Sequence, residues 1–355
     1  MRRERLPVPK ILLLILVPML FVACQKSIQE PSPLQHNQVQ SFHISTSKLV
    51  LLQGNESLIA ITFSWAGSIN AGVKYIVEAD VSGSSFSDPI ELVSTDKTSA
   101  SFTVKEFNSL MSKLLYANNT ARVEFRIKED APMHTKENPV YSSSVGVDVT
   151  TYRNYVTYDE QKIIKVPGNY QEWNLTTAPK IIATDDPEEY EGYINFTNQY
   201  PQLLMVKGSE WQAVTTYSYI GADKFGFGGS VLSVFGGAGA YLFKANINTH
   251  KWSYTKINCW GLSGTAVQIG SHGDPEMSAS ETTLVWSITT NLLKGSFRIR
   301  ANNSNAISFG QKACDEPGVP SYCGDNIVIK QAGNYTIKLE LQAAGNYAYS
   351  LLKNS

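Results

Sequence analysis

Residues 122–128 read Arg-Val-Glu-Phe-Arg-Ile-Lys, charged and apolar side chains in strict alternation. Only an extended strand puts Val123, Phe125 and Ile127 on one face and Arg122, Glu124, Arg126 and Lys128 on the other, because strand side chains change sides at every residue. A helix would spread both sets around its circumference. The same period recurs in Tyr75, Val77, Ala79 and Val81, set among Lys74, Glu78 and Asp80, and again along Ile59–Trp65. These runs are short and bounded by Gly, Ser, Asp and Pro, the pattern of half-buried antiparallel strands. One helix interrupts them. Thr103 and Glu106 have capping-box spacing, and Phe107, Leu110, Met111, Leu114 and Leu115 follow on one helical face.

Several short strands at close spacing predict an immunoglobulin-like sandwich over residues 41–152. The chain has 355 residues, room for two or three domains. Its net charge of −1 gives no reason to expect nucleic acid or a bulk anionic surface as partner.

The N-terminus is of another kind. Met1–Lys10 carries Arg2, Arg3, Arg5 and Lys10, and Ile11–Val22 is almost wholly apolar. That run is shorter than the roughly 20 residues a bilayer span needs, so residues 1–23 read as a signal peptide. Ala23 followed by Cys24 resembles the lipobox of bacterial lipoproteins, although Phe21 stands where Leu is usual. The resemblance implies acyl chains on Cys24, which together anchor a protein almost permanently. Gln25 after the Cys favours the outer membrane. Residues 25–40 are polar with two prolines and read as a flexible tether.

Of the four cysteines, Cys314 and Cys323 flank a loop containing Pro and Gly, and an oxidising compartment predicts a disulfide there. Cys259 is left as a buried thiol.

The C-terminal half repeats itself. Gly239–Ile247 running into Lys251–Tyr254 parallels Gly333–Leu341 running into Asn346–Tyr349: a Gly-led strand, a turn and an aromatic strand. Gly192–Phe196 precedes the first hairpin and Val285–Ile288 the second. This places one all-β unit at 166–257, a second at 258–355 and a linker at 153–165, both units being expected as small sandwiches.

The series Phe63-Ser64-Trp65, Lys74–Val77, Gly83–Phe86, Thr103–Asn108, Glu124–Ile127 and Val147–Tyr152 resembles the N-terminal domain of the SusE/SusF group, Bacteroidetes outer-membrane lipoproteins of the starch-utilisation type. In that group the domain is a spacer. Val166–Trp173, Tyr190–Tyr193 and Lys207–Trp211, with Trp260–Leu262, Phe297–Arg300 and Gly324–Ile327 in the second unit, are similar to its tandem carbohydrate-binding modules. The resemblance implies an all-β string of immunoglobulin-like and carbohydrate-binding-module-like sandwiches. It implies Trp173 and Trp211 as platforms for a pyranose face, with Lys207 as polar partner. Aromatic rings suit such stacking, and Tyr217 or Tyr219 could extend the platform. The second unit departs from the pattern. Ile269–Asp274 replaces a Gly-Gly-Trp stretch, and Asn305 stands where the group has Trp. Arg298, Arg300 and Asn305 are its remaining candidates, while Trp260 and Trp286 look structural.

Nothing points to catalysis. Asp185–Glu189 is an acidic turn, not two carboxylates placed across a bond. Gly236–Gly239 precedes a strand, so it is a hairpin turn and no dinucleotide loop. The five histidines lack ligand spacing, and there is no Gly-x-Ser-x-Gly elbow. The expectation is a non-catalytic lipoprotein without cofactor or metal. It would face the cell exterior and retain starch or another polysaccharide for a SusC-like transporter and a SusD-like lipoprotein. The alternative is a structural accessory with little glycan affinity.

Overall fold

The computed structural model describes residues 41–67, 72–130, 140–268, 273–280, 283–311, 317–322 and 324–354. The expected signal peptide, Cys24 and tether, the Cys314–Cys323 pair and residues 269–272 lie outside the described residues. Strands dominate, and the chain is all-β.

Two sheets share the first core. One orders His43–Ile44, Ile59–Ser64 and Ser99–Thr103; the other orders Lys48–Val50, Val145–Thr150, Thr120–Asp130, Lys74–Val81 and Ile90–Thr95. The alternation sets their faces: Val123, Phe125 and Ile127 are fully buried with Phe63, Val77 and Phe107. The helix is Val104–Met111, and its capping box is complete in both directions. Hydrogen bonds from Thr103 hold the Glu106 carboxyl below its ordinary pKa. The helix stops short of Leu114 and Leu115, yet Leu115 is still buried, carried inward by a turn that bonds its N–H to the Met111 carbonyl at 2.8 Å.

The next strands close into a ring. Its order is Ile163–Lys165, Lys180–Ala183, Glu189–Phe196, Gly239–Asn246, Lys251–Ile257, Lys224–Gly226, Thr216–Gly221 and Met205–Val206, which returns to the first through Lys165 opposite Val206. The expected sandwich over 166–257 is therefore a closed antiparallel barrel. The short Lys224–Gly226 and Met205–Val206 strands bridge what would otherwise be open edges, and closure removes unpaired backbone groups. The ring begins at Ile163, inside the stretch read as linker. Tyr190, Ile194, Phe196, Phe225, Tyr241 and Phe243 fill it.

The last strands form two sheets around Trp260, Trp286, Phe297, Phe309, Ile337 and Leu339. The repeat is visible in register: Glu189–Phe196 pairs with Gly239–Asn246 and then Lys251–Ile257, just as Val285–Leu292 pairs with Gly333–Glu340 and then Ala348–Lys353. Tyr193 and Leu242 are cross-strand partners on the outside of the barrel, and both bury in the last core. The segment before the ring is strapped down as well. Asn346 donates to the Val156 carbonyl and accepts its N–H, at 3.0 and 2.7 Å, while Tyr158 donates to the Gly345 carbonyl and Arg153 pairs with Glu340.

Candidate functional site

The barrel has two rims, and the expected platform residues divide between them. The strand from Ile163 continues to Gly168, which bridges Leu203. A Cβ on Gly168 would meet the Gln202 carbonyl at 2.3 Å, so only glycine permits this close approach. A 3-10 turn, Asn169–Gln171, then leads to Glu172 and Trp173, both with left-handed φ (60° and 57°). The Trp173 N–H bonds back to the Gly168 carbonyl at 2.9 Å, and its side chain is half-buried. Trp211 sits instead in the loop between Met205–Val206 and Thr216–Gly221, beyond the rung where Val206 faces Lys165. The rungs at Gly168 and Lys165 are three residues, about 10 Å, apart along the strand. The two loops leave from opposite ends. The sequence pairs these tryptophans, and the register separates them.

At the Trp211 rim, Trp211 is 46% exposed, with Val214 and Phe227 exposed as well. Lys207 ends the ladder, its N–H bonded to the Thr215 carbonyl at 2.9 Å and its Nζ 5.9 Å from the centre of the Tyr190 ring. Tyr217 stacks on Phe227 at 4.9 Å and meets buried Phe225 edge-on at 5.2 Å. Tyr217 and Tyr219 are both half-buried against the barrel core, so Tyr217 connects that core to the rim and Tyr219 packs with it. Trp211, Lys207, Tyr217 and Phe227 thus gather at one end.

The Trp173 rim holds two residues that sequence reasoning missed, Tyr200 and Phe235, at 80% and 79% exposure. They face each other across a short ribbon in which Gln202 pairs with Ser233 and Leu203 with Leu232. The Val234 N–H to Pro201 carbonyl bond, 3.0 Å, extends that ladder outward. The tract Thr197–Gln202 offered one usable signal, an aromatic set between amide residues and a proline.

In the last unit, Arg300 and Asn305 do come together, but around a third partner. The Asp274 carboxylate, its side chain only 1% exposed, receives Arg300 through both Nε and Nη2, the latter at 2.9 Å, and Arg300 Nη1 donates to Asn305 Oδ1 at 3.2 Å. The bond to Asp274 raises the guanidinium pKa further. Arg298 is similarly engaged, by the Gly324 and Tyr322 carbonyls and the Ser308 hydroxyl. A guanidinium held bidentately by a buried carboxylate has few donors left for a ligand. Trp260 and Trp286 are buried, as expected of structural residues.

A cleft of about 740 Å³ opens between Tyr155, Tyr158, Ile163 and Ile182 on one side and Leu284 and Ala343 on the other. None of the predicted site residues lines it. Asp186 in the acidic turn accepts the Glu188 N–H at 3.0 Å, in an exposed loop. Among the described residues no group of three His, Cys, Asp or Glu side chains is placed to hold a metal, and no helix is long and apolar enough to cross a membrane. Cys259 is a free thiol, half-buried rather than fully buried; burial, reinforced by Glu276 beside it, pushes its pKa up.

Residues 29–128 match the SusE outer membrane protein family. No curated protein matches the chain in sequence. Among solved structures, the crystal structure of SusF from Bacteroides thetaiotaomicron aligns over 89% of this chain and 77% of its own, at 10% identity and a TM-score of 0.25. The match over residues 29–128 makes the N-terminal part of the chain similar to the SusE outer membrane protein family.

Proposed function

We propose that this protein is a non-catalytic, glycan-binding lipoprotein of an outer-membrane polysaccharide-uptake system. Acyl chains on Cys24 would anchor it and residues 25–40 would act as tether, with the first sandwich as spacer. The barrel would hold a starch-like or other polysaccharide at the cell exterior for a SusC-like transporter and a SusD-like lipoprotein. The SusE-like N-terminal segment supports the setting. The observation that carries the binding role is the display of aromatic side chains in solvent at both barrel rims. Large aromatic rings left in water forgo burial that a folding chain ordinarily takes, and exposed apolar surface of this kind marks interaction sites. Each contact would be weak, and a tethered array on a surface would gain by avidity.

The test is affinity electrophoresis of the chain from Gln25 onward in gels containing neutral polysaccharides. Retardation without release of reducing sugar is the expected result. A folded protein that migrates unhindered in every gel would overturn the binding role and leave a structural accessory. One observation favours that second reading for the last unit alone: its tryptophans and its candidate arginines are all engaged internally.

A further inference from the structure

The exposed ribbon at the Trp173 rim has a regular two-faced pattern. Pro201, Leu203, Leu232 and Val234 are buried, while Tyr200, Gln202, Ser233 and Phe235 turn outward. Direct partners on paired antiparallel strands share a face. The outer face therefore carries an aromatic rung, Tyr200 with Phe235, and two residues along, about 7 Å away, a polar rung of Gln202 with Ser233.

The backbone beneath the rings is fixed by side chains other than the rings. Asn198 accepts the Tyr200 N–H at 2.8 Å, and Asn169 donates to the Tyr200 carbonyl at 2.9 Å while accepting the Gln202 N–H at 3.0 Å. The Tyr254 hydroxyl accepts the Phe235 N–H at 3.1 Å, Lys256 donates to the Gly236 carbonyl at 2.5 Å, and Tyr241 donates to the Gly237 carbonyl at 2.8 Å. The rings contribute none of this: the backbone that carries them is fixed without their burial, so the positions from which they project are preorganised. Both contributing tracts, 197–202 and 231–239, contain no acidic or basic residue.

We propose that this outer face is a platform for one pyranose ring of a neutral polysaccharide, with Tyr200 and Phe235 against the apolar C–H face and Gln202 and Ser233 bonding its hydroxyls. Cross-strand Cβ atoms lie about 5 Å apart, so the two rings make a surface the width of one sugar. An amide beside a hydroxyl offers both donors and acceptors, as adjacent sugar hydroxyls require. The two tracts themselves carry no charge to select an anionic glycan or an acidic surface, and the Lys256 ammonium beside Phe235 is bonded to the Gly236 carbonyl. This inference rests on the glycan-binding role and assigns it to a site apart from Trp211.

The experiment uses the chain from Gln25 onward in gels containing amylopectin, arabinoxylan, galactomannan or barley β-glucan. Compared are the wild type, Tyr200→Ala with Phe235→Ala, Gln202→Ala with Ser233→Ala, and Trp211→Ala. For the glycan that retards the wild type, removal of both rings is expected to weaken retention on the order of tenfold or more, and removal of the polar rung severalfold. Trp211→Ala is expected to retain most of the binding. Unchanged retention after loss of both rings overturns the platform while leaving the glycan-binding role intact; rings that serve a protein or a membrane would give that outcome. A wild type retarded by none of the four polysaccharides overturns both. Thermal unfolding of each variant accompanies the gels. A double ring variant that has lost its fold would mean the rings are structural, and this too overturns the platform.

Discussion

The barrel and the last unit are built on the same meander of three long strands, and they dispose of their aromatics in opposite ways. In the last unit Trp260 is fully buried, stacked on Phe309 at 5.3 Å and crossed edge-on by Trp286 at 6.2 Å. In the barrel Trp211, Tyr200, Phe227 and Phe235 stand in solvent. Polar residues follow the same division. Arg298 and Arg300 are spent on internal partners, whereas Gln202 and Ser233 point outward. The closed ring of eight strands is filled mainly by Phe, Tyr and Ile from its inward rungs, with Trp252 packed beside Phe243 at 5.7 Å. In the last unit the core between the two sheets includes both Trp260 and Trp286. The difference teaches that an aromatic residue is buried or displayed according to the rung it occupies and not according to its type.

The sharpest way to break this comparison is to remove the buried indole. Trp260→Ala should cost about 4 kcal/mol of unfolding free energy, as cavity-forming aromatic truncations do, measured by urea denaturation. The indole N–H of Trp260 finds no acceptor among the described residues. Trp260→Phe should therefore cost much less, about 1–2 kcal/mol, since it gives up volume but no hydrogen bond. Equal effects for the two variants would show that the site is not packed as described. Next in size is Arg300→Ala, which leaves the Asp274 carboxylate buried without its ion-pair partner. The expected loss is about 3 kcal/mol, with Asp274→Leu in the Arg300→Met background recovering part of it, because an apolar pair can replace a buried ion pair. A loss near zero would mean that Arg300 is free, and would reopen it as a ligand residue.

The contact between the two units predicts a pH response. Burial raises the pKa of Tyr193 and Tyr322, whose hydroxyls lie 3.0 Å apart at the junction, and likewise of Tyr347 and Tyr349. Tyr116, which packs on Tyr349, is pushed up to about 12 by burial. A folded-state pKa above the unfolded value adds stability below the unfolded pKa of about 10 and loses it as pH rises through the folded value. Stability should therefore be level through neutral pH and fall above about pH 10. Absorbance of ionised tyrosine, followed beside circular dichroism, should show these groups ionising together with unfolding. If they titrate near pH 10 in a folded protein, the junction is open to water.

Much of the fold was legible because its signals are local. The alternation through Val123, Phe125 and Ile127 set the first sheet, the Thr103–Glu106 spacing started the helix, and the two Gly-led hairpins appear in matching register. What sequence could not show depends on distant pairings. Ring closure rests on a two-residue strand, Met205–Val206, too short to have a period. The separation of Trp173 from Trp211 follows from which ends of a strand pair their loops leave. The Tyr200–Phe235 rung exists only because residues 202–203 pair with 232–233. Arg300 was named as a ligand candidate, and its real partner, Asp274, is remote in sequence and buried.

The smallest expected effect is also the most discriminating for the barrel. Tyr200→Ser and Phe235→Ser should each change the unfolding free energy by less than about 0.5 kcal/mol, as exposed substitutions away from packing do. Asn169→Ala should cost more than either, about 1–2 kcal/mol, although it removes a smaller side chain. The reason lies in what each residue holds: Asn169 satisfies a carbonyl and an N–H of the ribbon at once, while the rings satisfy nothing in the fold. Urea midpoints of the three variants compared with wild type settle the order. If the ring variants proved the more damaging, the aromatics would be part of the barrel's own packing and the two units would handle their rings alike. If the order holds, the ribbon's backbone is fixed by Asn169 independently of the two rings, which is what the proposed platform requires.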